Sequence, residues 1–390
     1  MKRKTALRWA AAGVLAAVCL AAAILVPRQW AARNAAATTM VPAAAEALED
    51  AACFTFTDDA IAVTAAAGPG YTVEGTTLTI SAAGTYQVSG QCADGAIQIK
   101  KGVAGVTLVL AGLDLTSADT APLCCGKNSG VTILAAGGTE NSLADATQNN
   151  DDTAPENANA ENAVLKCKAG SQVVLGGSGT LTVTSHGKHG ISSGSATDEQ
   201  DASLTVRALT LQITTEIGDA IHAGQTLTIE SGNLTLTATD DALHSDGALT
   251  IGGGTVLAAG GSGSMWMQLT TEQPYLLQQS GAAIVAGETL SIADADGTNI
   301  LDACQAPCTV SFLFYTSPDL TDGQSYTLQG SGSAAARLEA QIGALQGGMM
   351  PGGPAGGPGA DGERLDTQPP GGQGGAPAAP ADGAPGVTST

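Results

Sequence analysis

The sequence predicts an all-β protein built as a parallel β-helix, and three observations carry that prediction. Charged residues make up only 13% of the 390 residues and aromatics only 3%, without the Glu, Lys and Leu that pattern a helical bundle. Between residues 53 and 330, short apolar–Thr alternations are punctuated by Gly, Asn and Asp, the signature of strands and turns. These alternations recur at a fixed interval. Leu204-Thr205-Val206 returns as Leu227-Thr228-Ile229 and as Leu249-Thr250-Ile251, at separations of 23 and 22. Three short strands in about 22 residues form one coil stacked on the next.

Two further series give the other strands of each coil. One runs Leu181-Thr182-Val183, Leu211-Gln212-Ile213, Leu234-Thr235-Leu236 and Val256-Leu257-Ala258; the other runs Gly190-Ile191-Ser192, Ala220-Ile221-His222 and Ala242-Leu243-His244. Ala121-Pro122-Leu123 and Ala163-Val164-Leu165 are looser upstream members. In each, the alternate apolar residues are expected inside and Thr outside. A propeller needs units of about 40 residues and more aromatics, and a sandwich shows no fixed register. Continuous coils are expected over 95–260. Polar inserts at 144–162 and 195–202 interrupt the interval and are expected as loops protruding from one corner.

The flanks are of another kind. Lys2, Arg3, Lys4 and Arg8 precede an apolar run over residues 9–26, the form of an export signal. The run is also about the length needed to span a bilayer, so residues 1–33 are a signal peptide or a retained anchor. Either places the protein outside the cell or on its surface, with membrane contact only through that segment. Residues 34–52 form an Ala-rich stalk or linker, and residues 331–390 a Gly/Pro-rich tail expected to be disordered. Seven cysteines follow Cys19; they are expected as small buried side chains with one or two disulfides.

Charge narrows the partners. The first 33 residues hold 6 of the 15 bases and no acid, leaving 36 acids against 9 bases, a net of −27. Such a surface repels nucleic-acid phosphates and anionic headgroups. Cations, neutral polymers, and acidic polymers bridged by a divalent metal remain.

All four histidines lie between residues 186 and 244, inside the best repeats. The third series places His189, Asp219 and Asp241 in one column. His222 and His244 share the next outward column, above Ser192, with Glu216, Asp240 and Asp246 in flanking turns. Coils are about 4.8 Å apart, so carboxylates this close repel one another unless a cation sits among them. Calcium suits oxygen ligands from neighbouring turns. The alternative is a solvated Asp/His ladder that ends each strand. The sequence has no HExxH or P-loop motif. Lysis of an acidic sugar needs a strong base beside a calcium ion, and Lys188 alone falls beside the ladder.

The phrases Gly218-Asp219-Ala220-Ile221-His222-Ala223 and Asp240-Asp241-Ala242-Leu243-His244-Ser245-Asp246-Gly247 resemble the D-G-I-H-x-D coils of the secreted clostridial carbohydrate-binding domain-containing proteins. So do residues 84–90, 138–143 and 317–328, and the likeness spans about residues 53–330. It implies a single-stranded right-handed parallel β-helix similar to pectate lyases, with bound calcium, that binds cellulose-like or acidic polysaccharides without catalysis. Carried over, it implies calcium ligation by Asp219, Asp240, Asp241 and Asp246. This chain departs from the pattern at His189 and Gly224, where acids are expected, and at Ala220 and Ala242, where glycines are. Trp266 is a candidate for stacking on a sugar, or else a cap over the last coil. The function expected is an exported, calcium-dependent polysaccharide-binding or adhesion module that is not an enzyme. A lyase acting on uronic acids, or a structural rod that binds no sugar, are the alternatives.

Overall fold

Alternation of branched apolar residues with threonine suits a pleated strand with one face buried, and the chain forms strands wherever that alternation occurs. The computed structural model describes residues 50–346, apart from 66, 67, 69, 262, 280–283, 307, 333 and 334. The expected export segment 1–33, residues 34–49 of the stalk, and the tail beyond residue 346 lie outside the described residues. Among the described residues every element is a strand, and no helix is long and apolar enough to cross a membrane.

Most strands belong to one large sheet organised as three parallel ladders. In the first, Leu204 pairs with Leu227 and Leu227 with Leu249. In the second, Leu181 pairs with Leu211, Leu211 with Leu234 and Leu234 with Val256. In the third, Leu123 pairs with Leu165, Leu165 with Ile191, Ile191 with Ile221 and Ile221 with Leu243. These are the registers the repeat predicts. A one-residue slip would turn every apolar side chain outward, so burial enforces them: Leu204, Leu211, Ile221, Leu227 and Leu243 are all buried in one core.

Each unit passes from the first ladder to the second through a tight corner. Gly177 turns one of them with φ at +106° while paired with Ala135. Ala208 turns another at φ +63° without being a glycine, a left-handed conformation that costs an L-residue about 1–2 kcal/mol.

Four expectations need correcting. The insert does not simply protrude: Ala144 and Asp145 belong to strand Glu140–Asp145, and Asn149, Asn150 and Ala154 are buried. Its polar side chains fold it back onto the corner, because buried amides must find partners. Asn149 Nδ2 donates to the Ala163 carbonyl at 2.9 Å, and Asn150 Nδ2 to the Gly187 carbonyl at 2.8 Å.

The folded chain also does not stop at residue 330. Strands Ala336–Glu339 and Gln341–Gln346 follow, the second antiparallel to Gly263–Gln278. Nor is the whole of 53–330 repeat. Parallel pairing continues into Gly263–Gln278 as far as Thr271, later strands pair antiparallel, and a separate four-stranded sheet packs a second core around Leu290, Ile292, Leu313 and Tyr315. Finally, Cys53, Cys92, Cys124, Cys125, Cys167 and Cys308 are free thiols rather than bridged. Burial pushes the Cys124 thiol up to about 12, so it stays protonated.

Candidate functional site

The third ladder carries the chemistry. Its outward positions align Gln98, Cys124, Lys166, Ser192, His222 and His244, each the register partner of the next. Ser192 and His244 are buried although they point away from the core, Lys166 and His222 are half-buried and Gln98 is exposed, so the column sinks toward its histidine end. One wall is the insert, whose closing segment ties Glu161 to Lys168 at 2.6 Å. Lys166 Nζ reaches Ser192 Oγ at 3.3 Å along the column.

At the C-terminal end of the column two Asp-x-x-His phrases, 219–222 and 241–244, lie in register one unit apart. Asp219 is their hub, with only 3% of its surface exposed. Its Oδ2 is 2.8 Å from His222 Nδ1 and 3.5 Å from His244 Nδ1, and its Oδ1 accepts the Asp241 N–H at 3.1 Å. His189 Nδ1 accepts the Asp219 backbone N–H at 3.1 Å, which places the neutral ring's proton on Nε2. His244 Nδ1 is 3.5 Å from Asp241 Oδ2, and its Nε2 is 3.1 Å from Asp246 Oδ1. The three rings follow one another, tilted by 41° and 33°, with centroids 4.8 Å apart for His189–His222 and 4.1 Å for His222–His244.

These contacts split the titrations. Burial drives His189 down to about 3 against the pull of Asp219, so it is neutral. Burial opposes charge on His244 too, but its bonds to Asp241 and Asp246 and the Asp219 charge hold it up at about 9. Burial would raise Asp219; the His222 hydrogen bond and the neighbouring imidazoles outweigh it and hold the carboxyl below its usual range. The histidines offset the repulsion among the acids.

The structure therefore brings together His189, Asp219, His222, Asp241, His244 and Asp246, and leaves out three predicted residues. Glu216 is exposed and pairs with His186 at 2.9 Å. Asp240 is exposed and stands outside every described cluster able to hold a metal. Trp266 is 94% buried, edge-on to Phe312 and Phe314 at 5.8 and 6.5 Å, so its ring caps the core and offers no face to a sugar.

Calcium does not fit this donor set. It takes 6–8 oxygens, whereas each described group of convergent ligands includes an imidazole nitrogen: His189–Asp219–His222, His222–His244–Asp246 and Asp219–Asp241–His244. The role of Lys166 in the column was missed, although Leu165-Lys166-Cys167 aligns with Ile191-Ser192-Ser193 and carried the signal.

A comparison with curated proteins gives no match. Among solved structures, the polysaccharide lyase-like protein from C. thermocellum, as its gadolinium derivative, is similar at 23% identity, covering 57% of this chain and 94% of that one, with a TM-score of 0.41. The carbohydrate-binding domain-containing protein family matches residues 74–301, which hold all three ladders through the paired Asp-x-x-His phrases. Over more than half of its length, then, this chain belongs to the carbohydrate-binding domain-containing protein family.

Proposed function

We propose that the three ladders wind as a right-handed parallel β-helix and that the chain, exported to the cell surface, binds a polysaccharide there without cleaving it. The observation that carries this reading is the outward column from Gln98 to His244. A row of polar side chains repeating about every 4.8 Å matches a polymer of hydroxyl-bearing rings better than a single small ligand. Family membership supports the same substrate class. The strip is poor in aromatics, so it holds the chain through hydrogen bonds. The net charge of −27 beyond residue 33 favours a neutral, cellulose-like chain over an acidic one.

Lysis is the weaker reading for a specific reason. Of the lysines at the ladder, Lys188 donates to Asp152 at 2.8 Å, a bond that holds the Asp152 carboxyl below its usual range, and Lys166 donates to Ser192 Oγ at 3.3 Å. A cation so paired is not free to abstract a proton.

The test is retention of the full chain on cellulose and on polygalacturonate, with calcium and with chelator, while following absorbance from unsaturated sugar products. Retention on the neutral glucan is expected in both buffers, with flat absorbance. Gln98→Ala with Lys166→Ala should weaken it about tenfold, or ~1.4 kcal/mol. Unchanged retention in that double variant removes the strip from the account. Rising absorbance supports the lyase, and no retention on either glycan supports the structural rod.

A further inference from the structure

We propose that the paired Asp-x-x-His phrases form a binding site for a zinc-class divalent transition metal, held by Asp219, Asp241 and His244, with His222 bonded to Asp219 as a positioning residue. The inference is independent of the polysaccharide reading.

The donor chemistry selects the ion. Imidazole nitrogen with carboxylate oxygen suits zinc and its neighbours, while calcium wants oxygen alone. The geometry agrees. Zinc holds nitrogen and oxygen at about 2.0–2.2 Å in a tetrahedron, and the edge of such a tetrahedron is about 3.4 Å. The edges present are 3.5 Å from Asp219 Oδ2 to His244 Nδ1 and 3.5 Å from His244 Nδ1 to Asp241 Oδ2. Asp219, Asp241 and His244 converge within 4.8 Å of one another, with two of their edges at ligand–ligand spacing, and His222 meets the group through Asp219.

A second observation points the same way. Metal-binding histidines habitually give their other ring nitrogen to a carboxylate, which fixes the tautomer and the ring plane. His244 does this, with Nε2 3.1 Å from Asp246 Oδ1 while Nδ1 faces Asp219 and Asp241. Asp246 is thus a positioning residue rather than a ligand. Asp219 is fixed in turn, since its Oδ1 accepts the Asp241 N–H and its own N–H is held by His189. The preceding unit explains why there is one site and not a row of them. There His189 stands where the phrase has Asp, and Ser192 where it has His, so the donor pair is lost.

The experiment uses the full chain freed of metal by chelator and titrated with Zn²⁺ by calorimetry, then with Co²⁺ by visible absorbance. Saturable binding of one ion per chain is expected, with tetrahedral Co²⁺ bands and no thiolate charge-transfer band. Affinity should fall at least about tenfold in His222→Gln, whose ring is at the rim, and in Asp219→Asn, and should be unchanged in His186→Gln. Melting curves of the metal-free variants separate ligand loss from misfolding, and His222→Gln is expected to melt close to the wild type. No saturable binding overturns the proposal. So does affinity unchanged in His222→Gln, a thiolate band, or Ca²⁺ bound more tightly than Zn²⁺.

Discussion

Asp145→Ala is expected to lower the unfolding free energy by about 3–5 kcal/mol, the cost of breaking a buried charged network. Asp145 is 1% exposed. Its carboxylate accepts the backbone N–H of His186 at 2.7 Å and of Gly187 at 3.1 Å, Asn149 Nδ2 at 2.9 Å and the Ser185 hydroxyl at 3.4 Å. Alanine leaves all four donors facing a dry cavity and frees the base of the 146–162 insert. Urea unfolding should show the loss, and proteolysis within the insert should quicken. A drop of less than about 1 kcal/mol would mean that water replaces the carboxylate.

Asp145→Asn is milder, since one oxygen still serves His186 and Gly187, but its amide then meets the Asn149 amide. The pH dependence has a definite sign. Burial raises the Asp145 carboxyl above its ordinary value of 3.8, against its four hydrogen bonds. The folded state therefore binds the proton more tightly than the unfolded chain, and this contribution declines as pH rises from 3.8 through the folded value. Asp145→Asn should come closest to the wild type at neutral pH and fall further behind on acidification.

Gly177→Ala is expected to cost about 3 kcal/mol or more, enough to show as lost soluble yield or a melting temperature lower by several degrees. A side chain at φ +106° is strained wherever it sits, and here the added methyl also lands on the carbonyl oxygen and nitrogen of Ala135 in the preceding unit. Gly112→Ala separates the two effects. Its φ is +82° and nothing lies within 4 Å of the new methyl, so it should cost only the conformational part, about 1–3 kcal/mol. Equal losses in the two variants would show that the close approach of the units contributes nothing.

The ladders could be read from sequence because each records itself several times. Leu204, Leu227 and Leu249 share one environment, so the interval between them fixes the register without any view of the turns. Family and site neighbourhood were legible for the same reason: Asp219 and Asp241 repeat with the coil. What was not legible occurs once. Asn149 and Asn150 sit in an insert that nothing else in the chain repeats, and polar residues there read as solvated, whereas three of their amide and carbonyl bonds are what pin the loop. The second core was hidden behind a partial match. Val256-Leu257-Ala258-Ala259 continues the second series at Val256 and Ala258, but its outward residues, Leu257 and Ala259, are apolar because the four-stranded sheet covers them. Loss of threonine at the outward positions was the available signal. Counting acids ignores which partner each acid meets, and so did not show that Asp219 and Asp246 go to imidazoles.

The antiparallel strands at the two ends of the large sheet act as polymerisation terminators. A stack of near-identical layers is its own template: a bare final layer offers backbone donors and acceptors to the first layer of another molecule, and addition of monomers could continue without limit. Here the growing ends are quenched by reversal of chain direction. Ile61–Ala65 and Tyr71–Glu74 run antiparallel to the strands they close at the N-terminal side, and Phe312–Thr316 and Gln341–Gln346 do so at the C-terminal side. An incoming parallel layer finds the wrong hydrogen-bond spacing at each of these edges, so a fold whose repeat favours fibre growth is held to a fixed degree of polymerisation, set by its own gene.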